Sequence, residues 1–149
     1  MELIFPTIEY KQSALDYRQE YIDCGETHIP GSSDFMKADD YESWIEKITW
    51  NQTKANPDWV TGSVYFAIEN DKIFGTIAVR NYLNERLLNT GGHIGYAIRP
   101  SERRKGYGTK MLALALEKCR ELAIVKVLIT CDKINAASAK TAMRKWWCA

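Results

Sequence analysis

The stretch from Ile98 to Leu112 constrains this chain most. It holds the end of an alternating strand, Pro100 to stop it, the charged run Glu102-Arg103-Arg104-Lys105, and Gly106-Tyr107-Gly108. A helix follows at once, with Leu112, Ala115, Cys119 and Leu122 on one stripe. A strand feeding directly into a helix belongs to a layered α/β arrangement. Upstream, His93 to Ile98 alternate, with Ile94, Tyr96 and Ile98 on a core face and His93, Gly95 and Ala97 on a face nearly bare of side chains. Downstream, Val127-Leu128-Ile129-Thr130 reads as a short apolar strand inside a sheet, and a last helix begins near Asn135.

The first part of the chain supplies the remaining layers. Leu3-Ile4-Phe5, closed by Pro6, predicts a strand, and Tyr10, Ala14, Tyr17 and Tyr21 recur at helical spacing. Asp39 with Glu42 three residues later predicts the capped start of a second helix, carrying Tyr41, Trp44, Ile45 and Ile48 and ending before Asn56-Pro57. The aromatic stripe of these helices reads as core, not as a platform for stacking bases. Val64–Ile68 and Ile73–Val79 flank the turn Glu69-Asn70-Asp71-Lys72 and predict an antiparallel hairpin, followed by a polar loop from Asn81 to Gly92. With 149 residues, 46% of them apolar, and no linker or repeat, the expectation is a single α/β domain over residues 1–149. Its sheet is mixed and mostly antiparallel, with helices packed on it.

Twenty Lys+Arg against 19 Asp+Glu leave a net charge of +1, which argues against nucleic acid as a partner. The cysteines at 24, 119, 131 and 148 form no C-x-x-C pair and no zinc-spaced cluster with histidine, so no metal is expected. They read as reduced thiols of a cytoplasmic protein, in keeping with the lack of a leader pattern at the start. The longest apolar run, Met111 to Leu116, is far shorter than the ~20 residues that span a bilayer. No membrane association is expected.

The chemistry concentrates in the glycine loop. A helix N-terminus has unpaired N–H groups and partial positive charge, and glycines let the backbone curl so that successive N–H groups converge on an anion. Arg103, Arg104 and Lys105 add charge and Thr109 a hydroxyl. Neither the Walker sequence nor the dinucleotide fingerprint is present. On spacing alone Gly106 and Gly108 are compatible with a tight turn under a solvated surface or with a pyrophosphate nest.

The context separates these readings. Arg103-Arg104-Lys105-Gly106-Tyr107-Gly108, preceded by strand and proline and followed by an apolar helix, resembles the R-x-x-G-x-G signature of the GNAT acyltransferases. The order of elements from Leu3 to about Lys140 is also similar to that family, including Asn135 after the last strand. The resemblance implies a V-shaped opening between His93–Ile98 and Val127–Cys131 that takes the pantetheine arm of acetyl-CoA. It implies the pyrophosphate on the backbone of Arg104 to Thr109, with Tyr107 and Gly108 inside that loop, and pantetheine amides paired near Ile98. Asn135 would contact coenzyme A, and Lys133 and Lys140 would hold its outer phosphate. The implied activity is direct transfer of an acetyl group to an amine of a small molecule or protein. The alternative is a coenzyme A-binding sensor with little or no turnover.

An amine nucleophile, with a pKa near ~10, must lose a proton before it attacks, so the reaction needs a base. His93 begins the strand beside the implied cleft and titrates in the right range, so it is the candidate; a strand-end histidine bonded to a loop is the competing reading. Glu26 and His28, in the loop between the first two helices, are candidates for the acceptor site. The family's frequent general acid is a tyrosine past the asparagine, where this chain has Ala142-Met143-Arg144, so that role is unassigned. Family members continue with two more strands where this sequence has only Ala142 to Ala149. The expectation is therefore a C-terminally shortened domain whose open, apolar edge is covered by a second copy in a homodimer or by Trp146-Trp147, with diminished catalysis.

Overall fold

The computed structural model describes residues 1–130. Among them, β1 (Glu2–Ile4), β2 (Gly62–Glu69), β3 (Lys72–Arg80) and β4 (Ile94–Ile98) form one sheet in sequence order, antiparallel at every step. Helices α1 (Lys11–Asp23) and α2 (Tyr41–Asn51) cover one face, and α4 (Tyr107–Glu121) covers the other, with a short α3 (Glu85–Asn89) between β3 and β4. The α/β architecture with flanking helices is the expected one. No helix among the described residues is long and apolar enough to cross a membrane.

The α1/α2 face is aromatic. Tyr17, Tyr21, Tyr41 and Trp44 are buried with Phe35 and Phe66, and Trp44 stacks on Phe66 with ring centroids 5.7 Å apart. Each polar tip finds a partner, as burial demands. The Tyr41 hydroxyl donates to Thr7 O (2.7 Å), Trp44 Nε1 to Ser32 O (2.8 Å) and the Tyr21 hydroxyl to Ile98 O (2.7 Å). The α4 face is aliphatic: Ile77, Val79 and Ile94 meet Met111, Leu112, Ala115 and Cys119. Cys119 is a packing residue, its thiol pushed up to about 11 by burial.

Several local expectations shift. The cap of α2 is Asp40, whose carboxylate accepts the Ser43 N–H at 2.6 Å; Asp39 stands one residue too early. The hairpin turn places Asn70 and Asp71 at φ 51° and 61°, the pair of positive values a two-residue turn of matching twist needs. Leu122 falls at the C-cap of α4 and is 46% exposed, so the apolar stripe ends at Cys119. The loop 81–92 contains α3, capped by Asn84, whose side chain accepts the Leu87 N–H at 2.9 Å.

Two corrections concern the sheet. Val127–Thr130 is not a full strand in the described residues but a single antiparallel bridge, Ile129 to Gly92. Side chains replace ladder partners there: Leu128 N–H donates to His93 Nδ1 (3.0 Å), and Thr130 Oγ1 accepts the Gly91 N–H (2.8 Å). The face of Gly95 and Ala97 is not bare either. Ala97 joins the aromatic core, and the loop at Gly31 lies so close that a Cβ there would meet Gly95 O at 2.2 Å. The expected helix near Asn135 and the covering tail Trp146-Trp147 lie outside the described residues.

Candidate functional site

The β3–β4 ladder decides which backbone groups are available. Arg80 N–H donates to His93 O and Arg99 N–H to Phe74 O, so the alternation of an antiparallel pair commits the amides of Gly95 and Ala97 to β3. Those of Ile94, Tyr96 and Ile98 point to the opposite edge. Among the described residues that edge meets the main chain again at its start, through the Gly92–Ile129 bridge and the bond from His93 N–H to Leu128 O (2.8 Å). Beyond it the outward main-chain groups of Tyr96 and the N–H of Ile98 have no partner among the described residues, while Ile98 O is taken by Tyr21 and Arg103; the free groups are a ready template for an extended ligand.

The open edge runs into the glycine loop, which is tied down at its entrance. Glu20 of α1 accepts from Ser101 N–H and Arg99 Nε, both at 2.6 Å. Glu102 is held by Lys72 (2.5 Å) and Lys105 (3.2 Å), and these cations, Lys72 first, keep its carboxyl below the usual range. Past this anchor the backbone turns left-handed at Arg104 (φ 62°) and again at Gly106 (φ 88°), the N-cap of α4. The N–H groups of Arg104, Lys105 and Gly106 have no acceptor among the described residues, and those of Tyr107, Gly108 and Thr109 are first-turn donors without intrahelical partners. Left-handed turns followed by a helix N-terminus make an anion-binding concavity. A Cβ at Gly106 would have nothing within 4 Å, so only the backbone angle asks for glycine there.

The cations divide in a way the basic run did not reveal. Arg103 bonds to Glu26 (2.8 Å) and to Ile98 O (3.3 Å) and lies over the Tyr21 ring. Lys105 is paired with Glu102. Arg104 alone of the three has no carboxylate partner among the described residues. The Tyr107 ring packs on Phe74, with centroids 4.5 Å apart, and fixes the first turn of α4.

A cleft of about 1060 Å³ opens beside the start of β4. It is lined by the α1–α2 loop from His28 to Asp34, the end of α2, Asp58 and Trp59, the end of β3 at Arg80, and α3 with Gly91. His28 therefore lines it. Glu26 does not; its carboxylate is bound to Arg103 and links the α1–α2 loop to the glycine loop.

His93 is 9% exposed, and its Nδ1 accepts the Leu128 N–H. A neutral imidazole in that bond carries its proton on Nε2 and has no second lone pair to offer. Burial, and then the charge of Arg80, lower its pKa. As placed, His93 joins β4 to residues 128–130. Arg80, Arg86 and Trp59, on three different segments, were not singled out by sequence pattern, since a cation ending a strand and an aromatic in a loop are ordinary. Lys133, Asn135 and Lys140 lie outside the described residues, as does Cys131. The Tyr96 hydroxyl is buried without a partner among the described residues.

Comparison with known proteins adds one match. A family model described as an acetyltransferase (GNAT) domain covers residues 19–145, from the middle of α1 to beyond the last described element. No curated protein and no solved structure matches the chain.

Proposed function

The chain belongs to the GNAT acetyltransferase family, and from that premise we propose that it moves an acetyl group from acetyl-CoA directly to a primary amine of a small molecule or protein. The observation that carries this reading is the continuity of the open β4 edge with the left-handed loop at Arg104–Gly106. Pantetheine carries amides that can pair with the outward main-chain groups of Tyr96 and the N–H of Ile98, and the pyrophosphate suits the N–H groups from Arg104 to Thr109, with Arg104 the cation of that run without a carboxylate among the described residues. The arriving amine has the cleft beside β4.

In the transfer, the amine nitrogen bonds to the thioester carbonyl carbon, the C–S bond breaks and the thiolate departs as coenzyme A. A main-chain N–H of the open edge is suited to the oxyanion that forms on the way. The thiolate needs little help, since a simple thiol has a pKa of ~8.5. The amine's proton must go elsewhere. Among the titratable groups lining the cleft, His28 and Asp58 have no charged partner among the described residues, and they are the groups available to take it, directly or through water.

One observation favours a second reading. The lone pair of His93 is committed to Leu128, which fits a coenzyme A-binding sensor that lacks a base at the strand. Thiol release from acetyl-CoA over a panel of primary amines separates the two. Amine-dependent release is expected of the transferase; tight binding with no release under any amine is the sensor's result.

A further inference from the structure

The cleft holds two guanidinium groups without counter-ions among the described residues. Arg80 ends β3 and turns inward, where one Nη donates to Gly91 O (3.2 Å) and Gly92 O (2.9 Å). Its other Nη lies over Gly95, 3.3 Å from where a Cβ would stand. The group is sheltered enough that desolvation lowers its pKa. Arg86 of α3 approaches the same place, and both guanidiniums lie over the Trp59 ring, their carbons 5.5 Å and 6.0 Å from its centroid. Neither has a carboxylate within 4.0 Å among the described residues. Arg86 is exposed, but Arg80 is half-buried, where a charge without a partner is costly, and a planar fork of donors in a cleft suits a carboxylate or phosphate.

Resting on the transferase reading above, we propose that the acceptor is an amine that also bears an anionic group, held by Arg80 and Arg86 against Trp59. The main-chain bonds to Gly91 and Gly92 orient the Arg80 fork before any ligand arrives, and Gly95 leaves room for it. The amine end of such a molecule points away from the two arginines. Asp58 on the cleft wall offers that end a charge of the right sign.

The test compares acceptors that differ only in the anion: phenylethylamine against phenylalanine, and ethanolamine against phosphoethanolamine. Thiol release is followed with wild type, Arg86→Gln and Arg80→Gln. In at least one pair the anionic member is expected to have kcat/KM about tenfold higher, and the pair that responds says whether carboxylate or phosphate is meant. Arg86→Gln should reduce that preference and Arg80→Gln remove it, with the KM for acetyl-CoA unchanged. If Arg80→Gln does not fold, the preference in wild type and its reduction in Arg86→Gln still decide.

Equal use of both members of each pair, or better use of the uncharged ones, overturns the proposal and leaves the transferase reading standing. If no amine releases thiol, the thermal midpoint is measured with phenylalanine and phosphoethanolamine. A rise in wild type that Arg86→Gln loses supports the anion site while the transferase reading falls. No rise with either compound overturns the proposal too.

Discussion

The glycine loop and the α1–α2 loop both use glycines at positive φ, yet their surroundings are opposite. Gly106, at φ 88°, has open space around its missing Cβ, whereas Gly31, at φ 71°, lies against the backbone of Gly95, where an added Cβ would meet the carbonyl oxygen at 2.2 Å. The first glycine shapes a concavity lined by N–H groups that have no acceptor among the described residues. The second allows two pieces of the protein to touch. The difference teaches that the side proposed for the coenzyme is built from backbone unpaired among the described residues, and the cleft side from packed loops that bring distant side chains together.

The largest effect expected from breaking this contrast is at Gly31. Gly31→Val forces a side chain into the Gly95 carbonyl and a β-branched residue into a left-handed angle. Denaturant unfolding should show a loss of about 3 kcal/mol or more. A loss below about 1 kcal/mol would mean that the two loops part freely.

Gly106→Val comes next. Its stability cost should be about 1–2 kcal/mol, from backbone strain alone. Calorimetry should nevertheless find acetyl-CoA binding abolished, because the N–H groups no longer converge. Equal affinity in variant and wild type would remove the pyrophosphate from this loop.

His93→Ala is the smallest of the three. It leaves the Leu128 N–H without its acceptor, at a cost of about 1 kcal/mol. A pH dependence goes with it. Burial and the Arg80 charge hold the folded imidazole below its ordinary 6.5, so as the pH falls through that value the unfolded chain takes up a proton that the folded chain refuses. The stability present above this pH is therefore lost as the solution is acidified, until the folded pKa is passed. Urea unfolding at neutral and mildly acidic pH should show the decline in wild type and a shallower one in His93→Ala. A wild-type stability that rises on acidification would contradict the assignment of His93 as a neutral acceptor.

What the sequence made legible follows the same division. The alternation of Ile94, Tyr96 and Ile98, the hairpin turn at Asn70-Asp71 and the loop ending at Gly106 are properties of adjacent residues, and each is found where its pattern points. Helix α3 has five residues, too few for a helical period, so its one signal was Asn84 before Glu85. The aromatic stripe reads correctly as core, but nothing local says that Tyr21 ties α1 to Ile98. Arg80 acquires meaning only when Trp59, Arg86 and the carbonyls of Gly91 and Gly92 are folded around it. His93 was visible as a residue type. The commitment of its lone pair depends on Leu128, 35 positions away, whose N–H is available because that segment makes one bridge instead of a ladder.

The central claim, that acetyl-CoA lies along the open edge of β4 and ends on the glycine loop, is tested most directly by amide NMR during a coenzyme A titration. Binding is predicted to shift the N–H signals of Tyr96, Ile98 and Arg104 to Thr109 and to slow the exchange of Tyr96 and Ile98 with solvent. The intervening Gly95 and Ala97, already bonded to β3, should change their exchange little. Protection that ignores this alternation, or shifts confined to the opposite side of the sheet, would contradict the account.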